Sequence, residues 1–196
     1  VSQKGRVSSP AGAQVIRADG KFILPGLIDM HVHYDSWMPE LLAAHGVTSV
    51  GDLGSWDWVI AQKEAIEKGK SPGPRIFTSS CLRDGSLCWE GPFLPLEGSE
   101  QARAVIRDFI QRGAVDVVKI YNEITPEEAR AVIAQADRAG LPVMGHIASL
   151  DAREAAELGV DALAHATGVA LATISDPAKV REMREFQRMG IAVDYP

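Results

Sequence analysis

The chain has 196 residues, 46% of them hydrophobic, which is enough to bury the core of one domain or of a large part of one. A net charge of −6 and a pI near 5.4, with no cluster of Lys and Arg, exclude nucleic acid as a main partner, because phosphate binding relies on grouped cations that release counterions. No apolar run reaches the roughly 18–20 residues that span a bilayer, and residues 1–6 do not read as a signal peptide. Membranes are not expected as partners; the compartment is left open, with the cytoplasm favoured. Cys81 and Cys88 stand too far apart for a CxxC redox or zinc pair and are too few for a disulfide framework. A structural role, no role, or one loop disulfide all remain open for them.

Residues 1–25 differ from the rest of the chain. Residues 13–18 leading into Asp19-Gly20 predict a hairpin entering a strand, the end of a separate small β element. From residue 26 to 196 one unit repeats: a short apolar segment, a turn, then an Ala/Glu/Arg-rich helical stretch, as in a parallel α/β protein. Strands are predicted at 27–32, 47–52, 75–79, 115–121, 142–147, 162–165 and 191–195, and helices at 100–112, 126–139, 151–158 and 177–189. Thr125-Pro126-Glu127-Glu128 reads as a helix start, with Thr as N-cap and Pro at the first position. Gly113, Gly140, Gly159 and Gly190 read as helix stops. Residues 84–99, with Trp89 and Phe93, form a long loop, either a substrate wall or a surface excursion. Segment 191–195 has no helix after it and the chain lacks an initiator Met, so the expectation is a piece of a longer protein.

The chemistry-bearing residues gather where these strands end. His31 and His33 close an apolar run that begins at Phe22. Residues two apart on a strand point to one side, their bases roughly 6–7 Å apart, so two imidazoles there suit a divalent metal. Taken alone, the pair also reads as two histidines packed independently. Val143-Met144-Gly145-His146 and Leu163-Ala164-His165 place a histidine at the end of two later strands, and Val117-Val118-Lys119-Ile120-Tyr121 carries a lysine inside an apolar one. In a barrel of parallel strands these ends open onto one face. His45, at the end of a helix, suits the carbonyl ends and is left outside the set. A lysine ammonium has donors only and cannot ligate a cation. Its simplest reading is an ion pair with a buried carboxylate such as Asp29 or Asp52.

Phe22-Ile23-Leu24-Pro25-Gly26-Leu27-Ile28-Asp29-Met30-His31-Val32-His33 resembles the signature of the amidohydrolase superfamily. The stretch from Gly113 through Lys119-Ile120-Tyr121 to Gly145-His146 and Ala164-His165-Ala166-Thr167-Gly168 resembles its imidazolonepropionase-like and prolidase-like branch. The resemblance covers residues 19–196. It implies a metal-dependent hydrolase on a TIM (β/α)8 barrel, here strands one to seven, with a remnant of the β-sandwich element in residues 1–25. It further implies that CO2 carboxylates Lys119 to an anionic carbamate bridging two divalent metals, a binuclear centre most simply of zinc. His31 and His33 would hold the more buried metal, His146 and His165 the more exposed one. Such a pair activates a bridging water as hydroxide and polarises an amide carbonyl.

The same resemblance calls for an aspartate at the end of strand eight as general base and acid. Asp194 lies on the predicted seventh strand, so the role is not carried onto it, and these 196 residues are expected to bind metal weakly and hydrolyse nothing by themselves. Asp29 shares strand parity with the two histidines and is a candidate to orient one of them. Asp52, Tyr121 and Asn122 stand on the same rim as candidates to touch substrate or the carbamate. Trp56 and Trp58 read as a packed loop, and Glu127, Glu128, Arg130, Glu154 and Glu157 as solvated helix faces. The substrate class is an amide: a peptide, an acylated amino acid or a cyclic amide. Self-association is left open. Two other readings stand beside it: a mononuclear deaminase of the same superfamily, which usually lacks the strand-four lysine, and a non-catalytic truncated fragment.

Overall fold

The computed structural model describes residues 9–80, 82–83, 94–95, 98–122, 124–147 and 149–188. The fold is parallel α/β. Strands β1 (Leu27–Val32), β2 (Val47–Asp52) and β3 (Arg75–Thr78) form one parallel sheet in sequence order. A second sheet runs β5 (Leu94–Pro95), β4 (Leu82–Arg83), β6 (Val118–Ile120), β7 (Val143–Gly145) and β8 (Ala162–Leu163), again all parallel. A parallel bridge between Ser79 and Val117 connects the two. Because every described strand runs the same way, their C-terminal ends share one side of the molecule.

The helices are α1 (Met38–Ala44), α2 (Asp57–Glu67), α3 (Ser99–Gln111), α4 (Pro126–Ala139), α5 (Ala152–Leu158), α6 (Thr167–Thr173) and α7 (Pro177–Arg188). In α3 the buried residues are Ala102, Ile106 and Phe109, and in α4 they include Ala129, Val132, Ile133 and Ala136. Each set recurs at helical spacing and makes one apolar stripe. These stripes meet Val118, Ile120 and Val143 of β6 and β7 in the larger core, where each fully buried aliphatic side chain contributes about 1.5–3 kcal/mol. A smaller core joins Tyr34, Val50, Val59 and Ile76 around β2. Beneath the strand ends an apolar cavity of about 200 Å³ is bounded by Met30, Gly51, Phe77, Val117, Met144 and Ala162 among others; none of the five metal-ligand candidates lines it.

The expected helix punctuation is present. Thr125 caps α4 through a reciprocal capping box with Glu128, and Asp151 does the same for α5 with Glu154. Gly140 and Gly159 end their helices at φ of 67° and 98°, a region that a residue with a Cβ resists.

Several expectations are corrected. Residues 13–18 form no strand: residues 9–26 show only turns, are almost wholly exposed, and have no described strand beside them to complete a ladder. The predicted strands 115–121, 142–147 and 162–165 shorten to β6, β7 and β8. Helices α1, α2 and α6 add to those expected, α3 and α5 differ from their predicted bounds by a residue at one end or both, and α7 is described up to Arg188. Glu128 is buried rather than solvated, because its carboxylate accepts hydrogen bonds from the Thr125 backbone (3.0 Å), the Thr125 hydroxyl (2.8 Å) and the Gly98 backbone (3.0 Å). Trp56 and Trp58 are not packed away but 44% and 41% exposed. Cys81, Cys88, Gly190, the predicted strand 191–195 with Asp194, and most of loop 84–99 lie outside the described residues.

Candidate functional site

β1 and β2 do not pair in simple register. The paired residues run Leu27 with Val47, Ile28 with Ser49, Asp29 with Val50 and Val32 with Asp52, so β2 carries an extra residue early and β1 an extra one between Asp29 and Val32. A bulge re-aims side chains, and this one falls at Met30-His31. The Asp29 carboxylate accepts the backbone N–H of His31 (3.1 Å) and lies exposed. Asp29 thus meets His31 through the main chain.

The four strand-end histidines come together. Ring centroids lie 5.6 Å apart for His31 and His33, 4.7 Å for His31 and His165, and 4.2 Å for His146 and His165. Tyr121 meets His146 edge to face at 4.6 Å. Asn122 is half-buried and its carbonyl accepts the Ser149 N–H (2.9 Å). His31 and His146 are half-buried, His33 and His165 exposed. Among the described strands β1 pairs with β2 alone, and Leu27 and Ile28 are 61% and 65% exposed. His45 stays apart, its Nδ1 donating to the Leu41 carbonyl (2.8 Å) at the end of α1.

Lys119 is 1% exposed, at the centre of the fully buried strand β6. Ser80 holds its main chain: the Lys119 N–H donates to Ser80 Oγ (3.0 Å), and the same hydroxyl reaches the Lys119 carbonyl (3.5 Å). Ser80 and its neighbours Thr78 and Ser79 are fully buried. Their signal in the sequence is three consecutive hydroxyl residues at the end of an apolar strand.

Electrostatics follows from this crowding. Burial pulls the His146 imidazole down to about 3, helped by the positive charges of His165 and Lys119. Burial also lowers His31 and His165, and in both the Lys119 charge is the next cause. The ammonium therefore acts on three of the four rings. These three imidazoles are neutral near pH 7, the form that offers a lone pair to a metal. In His31 the backbone of Ala164 offsets a small part of this lowering.

The donor types fit divalent metals of the zinc class. Among the described residues, however, no three His, Cys, Asp or Glu side chains form a group that holds a metal ion by themselves. The four rings form a chain in which His31 lies between His33 and His165, and His165 between His31 and His146. Asp52 is also buried; its Oδ1 accepts the Tyr34 N–H (2.9 Å) and its Oδ2 the Ser55 hydroxyl (2.6 Å). Tyr34 and Ser55 were not among the residues that the sequence singled out.

Comparison with known proteins agrees with the fold. A prolidase solved with N-methylphosphonate-L-proline superposes with a TM-score of 0.66 at 25% identity, over 81% of this chain and 52% of that one. A Xaa-Pro dipeptidase with bound methionine superposes with a TM-score of 0.55 at 25% identity, over 73% of this chain and 48% of that one. Among curated sequences, an adenine deaminase of Bacillus licheniformis is 29% identical over 160 aligned positions, 72% of this chain and 26% of the relative. One from Paracoccus denitrificans is 51% identical over 45 positions, 20% of this chain and 8% of the relative. The chain thus spans about half the length of these two solved relatives and a smaller share of the curated ones. The model of the amidohydrolase family matches residues 22–184, most of the chain, and the protein belongs to that family.

Proposed function

We propose that this chain forms the metal-holding part of a hydrolase that cleaves an amide bond, on a partial (β/α)8 barrel whose strand ends carry the site. His31 and His33 hold one divalent ion, His146 and His165 a second, and Lys119, carboxylated by CO2, lies between them. Neutral lysine adds to CO2 through its amine and releases one proton, giving an anionic carbamate with two oxygen donors. The observation that carries the reading is Lys119 itself: a 1% exposed lysine whose charge bears on three neutral imidazoles. A buried ammonium among such rings has nothing to offer a cation, whereas its carbamate removes the positive charge and supplies the missing ligand atoms.

Zinc, when bound, would polarise the substrate carbonyl and favour the attacking form of water. The chain's own residues keep the imidazoles neutral and bury Lys119. Tyr121, in contact with His146, and the half-buried Asn122 are the candidates to meet substrate. The two solved relatives favour a peptide substrate, including bonds to proline. The curated relatives favour a second reading, deamination of a purine base.

The test is hydrolysis by the protein at its full natural length. Xaa-Pro dipeptides and N-acyl amino acids are offered beside adenine, before and after Lys119→Ala. Amide hydrolysis lost in the variant and partly restored by a short carboxylic acid supports the proposal. Adenine deamination with unmodified lysine replaces it by the second reading.

A further inference from the structure

We propose that Asp52 is a positioning residue for His33, acting through the backbone of Tyr34 and touching neither metal nor substrate. The inference rests on the metal-centre reading above. Asp52 is the last residue of β2 and is 1% exposed. Both of its oxygens are committed. Oδ1 accepts the N–H of Tyr34, the residue that follows His33, at 2.9 Å. Oδ2 accepts the Ser55 hydroxyl at 2.6 Å.

The direction of each bond is fixed by what the groups can do. Ser55 Oγ accepts the Ser79 N–H (3.0 Å), so its single proton is free to go to Asp52. A carboxylate accepts on both oxygens, which meets both donors at once. The Ser55 N–H in turn donates to the Ser79 carbonyl (3.3 Å), and the Leu53 N–H to the Val32 carbonyl (2.9 Å). Asp52 therefore stands at the junction of the ends of β1, β2 and the segment after β3.

His33 needs such a junction more than the other histidines do. His31 is half-buried with ring contacts to His33 and His165; His146 is half-buried against Tyr121 and His165; His165 touches two rings. The His33 ring is exposed, and its ring contact is with His31 alone among the described residues. Little packing holds the side chain, so its direction is set by the main chain, and the peptide plane between His33 and Tyr34 is the one that Asp52 fixes.

The test is a zinc titration against a chromophoric chelator, with the unfolding midpoint of the zinc-free protein recorded beside it. Asp52→Ala is expected to raise the zinc Kd about 10-fold or more, the usual scale for a lost supporting group. Asp52→Asn keeps an oxygen for Tyr34 and is expected to stay within about 3-fold, which separates positioning from charge. The effect of Asp52→Ala should vanish in a His33→Ala background and persist in a His146→Ala background, a dependence that a general loss of stability does not produce. Unchanged zinc affinity in Asp52→Ala, a loss as large in Asp52→Asn, or an equal loss without His33 overturns the proposal. Should Asp52→Ala fail to fold, Ser55→Ala carries the same comparison: a His33-dependent loss supports it, and none overturns it. A wild-type protein that takes no zinc defeats the metal centre and this role together. One that takes zinc but ignores Asp52→Ala defeats this role alone.

Discussion

The His146 and His165 rings, which follow neighbouring parallel strands β7 and β8, meet edge to face with centroids 4.2 Å apart. Two imidazoles at this distance, one with its pKa pulled down to about 3, do not both carry a proton near neutral pH. They are a pair of lone-pair donors. His165→Ala should lower bound zinc by about one ion per chain, read by elemental analysis after dialysis. Undiminished zinc content in that variant would remove His165 from the ligand set.

The same depression makes the stability of the metal-free protein depend on pH. His146 titrates at its ordinary 6.5 when unfolded and near 3 when folded, chiefly because burial disfavours its charged form. Its contribution is present above 6.5 and is lost as pH falls from 6.5 toward 3, where the unfolded chain takes up the proton first. His31 and His165, also lowered, add in the same direction. Urea midpoints with chelator present should fall between pH 7.5 and 5, and His146→Gln should flatten the slope. A midpoint that rises over this range would contradict the burial argument.

Gly51 in β2 faces the bulge in β1. A Cβ there would stand 2.9 Å from the Met30 carbonyl oxygen and 3.1 Å from Met30 Cε. Main chain cannot yield as a side-chain tip can, so Gly51→Ala should displace Met30 and the adjoining His31. The expected cost is about 1–3 kcal/mol of stability with weakened zinc binding. Denaturant unfolding and zinc titration of the variant read the two effects separately.

Glu128 couples two helix starts, closing the α4 capping box with Thr125 and accepting the Gly98 N–H at the start of α3. Glu128→Ala should cost about 1–2 kcal/mol, because three part-buried hydrogen bonds, from the Thr125 N–H and hydroxyl and the Gly98 N–H, lose their acceptor. Chemical denaturation checks this; a change below about 0.5 kcal/mol would show that water replaces the carboxylate.

What the sequence disclosed divides along physical lines. Strands β1 and β2 and helix α4 matched their predicted bounds, since apolar runs or a Thr-Pro start and a Gly stop mark them. Helices α1 and α2 lacked a capping residue at their starts: Trp37 and Trp56 stand at their N-caps without a capping hydrogen bond, a position that favours Ser, Thr, Asp or Asn. Residues 13–18 read as a strand beside the Asp19-Gly20 turn, yet a strand exists only beside a partner. The histidine cluster was legible because parallel strand ends face one way. The junction at Asp52 was not, because it depends on the main chain of Tyr34 and on the hydroxyl of Ser55, which carry no pattern of their own.

Whether Lys119 joins the two histidine pairs into one binuclear centre is decided by zinc stoichiometry and carbon NMR. Both are read on the protein at its full natural length, prepared in 13C-labelled bicarbonate. A bridging carbamate requires about two zinc ions per chain and a carbamate carbon signal, with Lys119→Ala losing the signal and most of the zinc. One zinc ion or none, with unmodified Lys119, would contradict it.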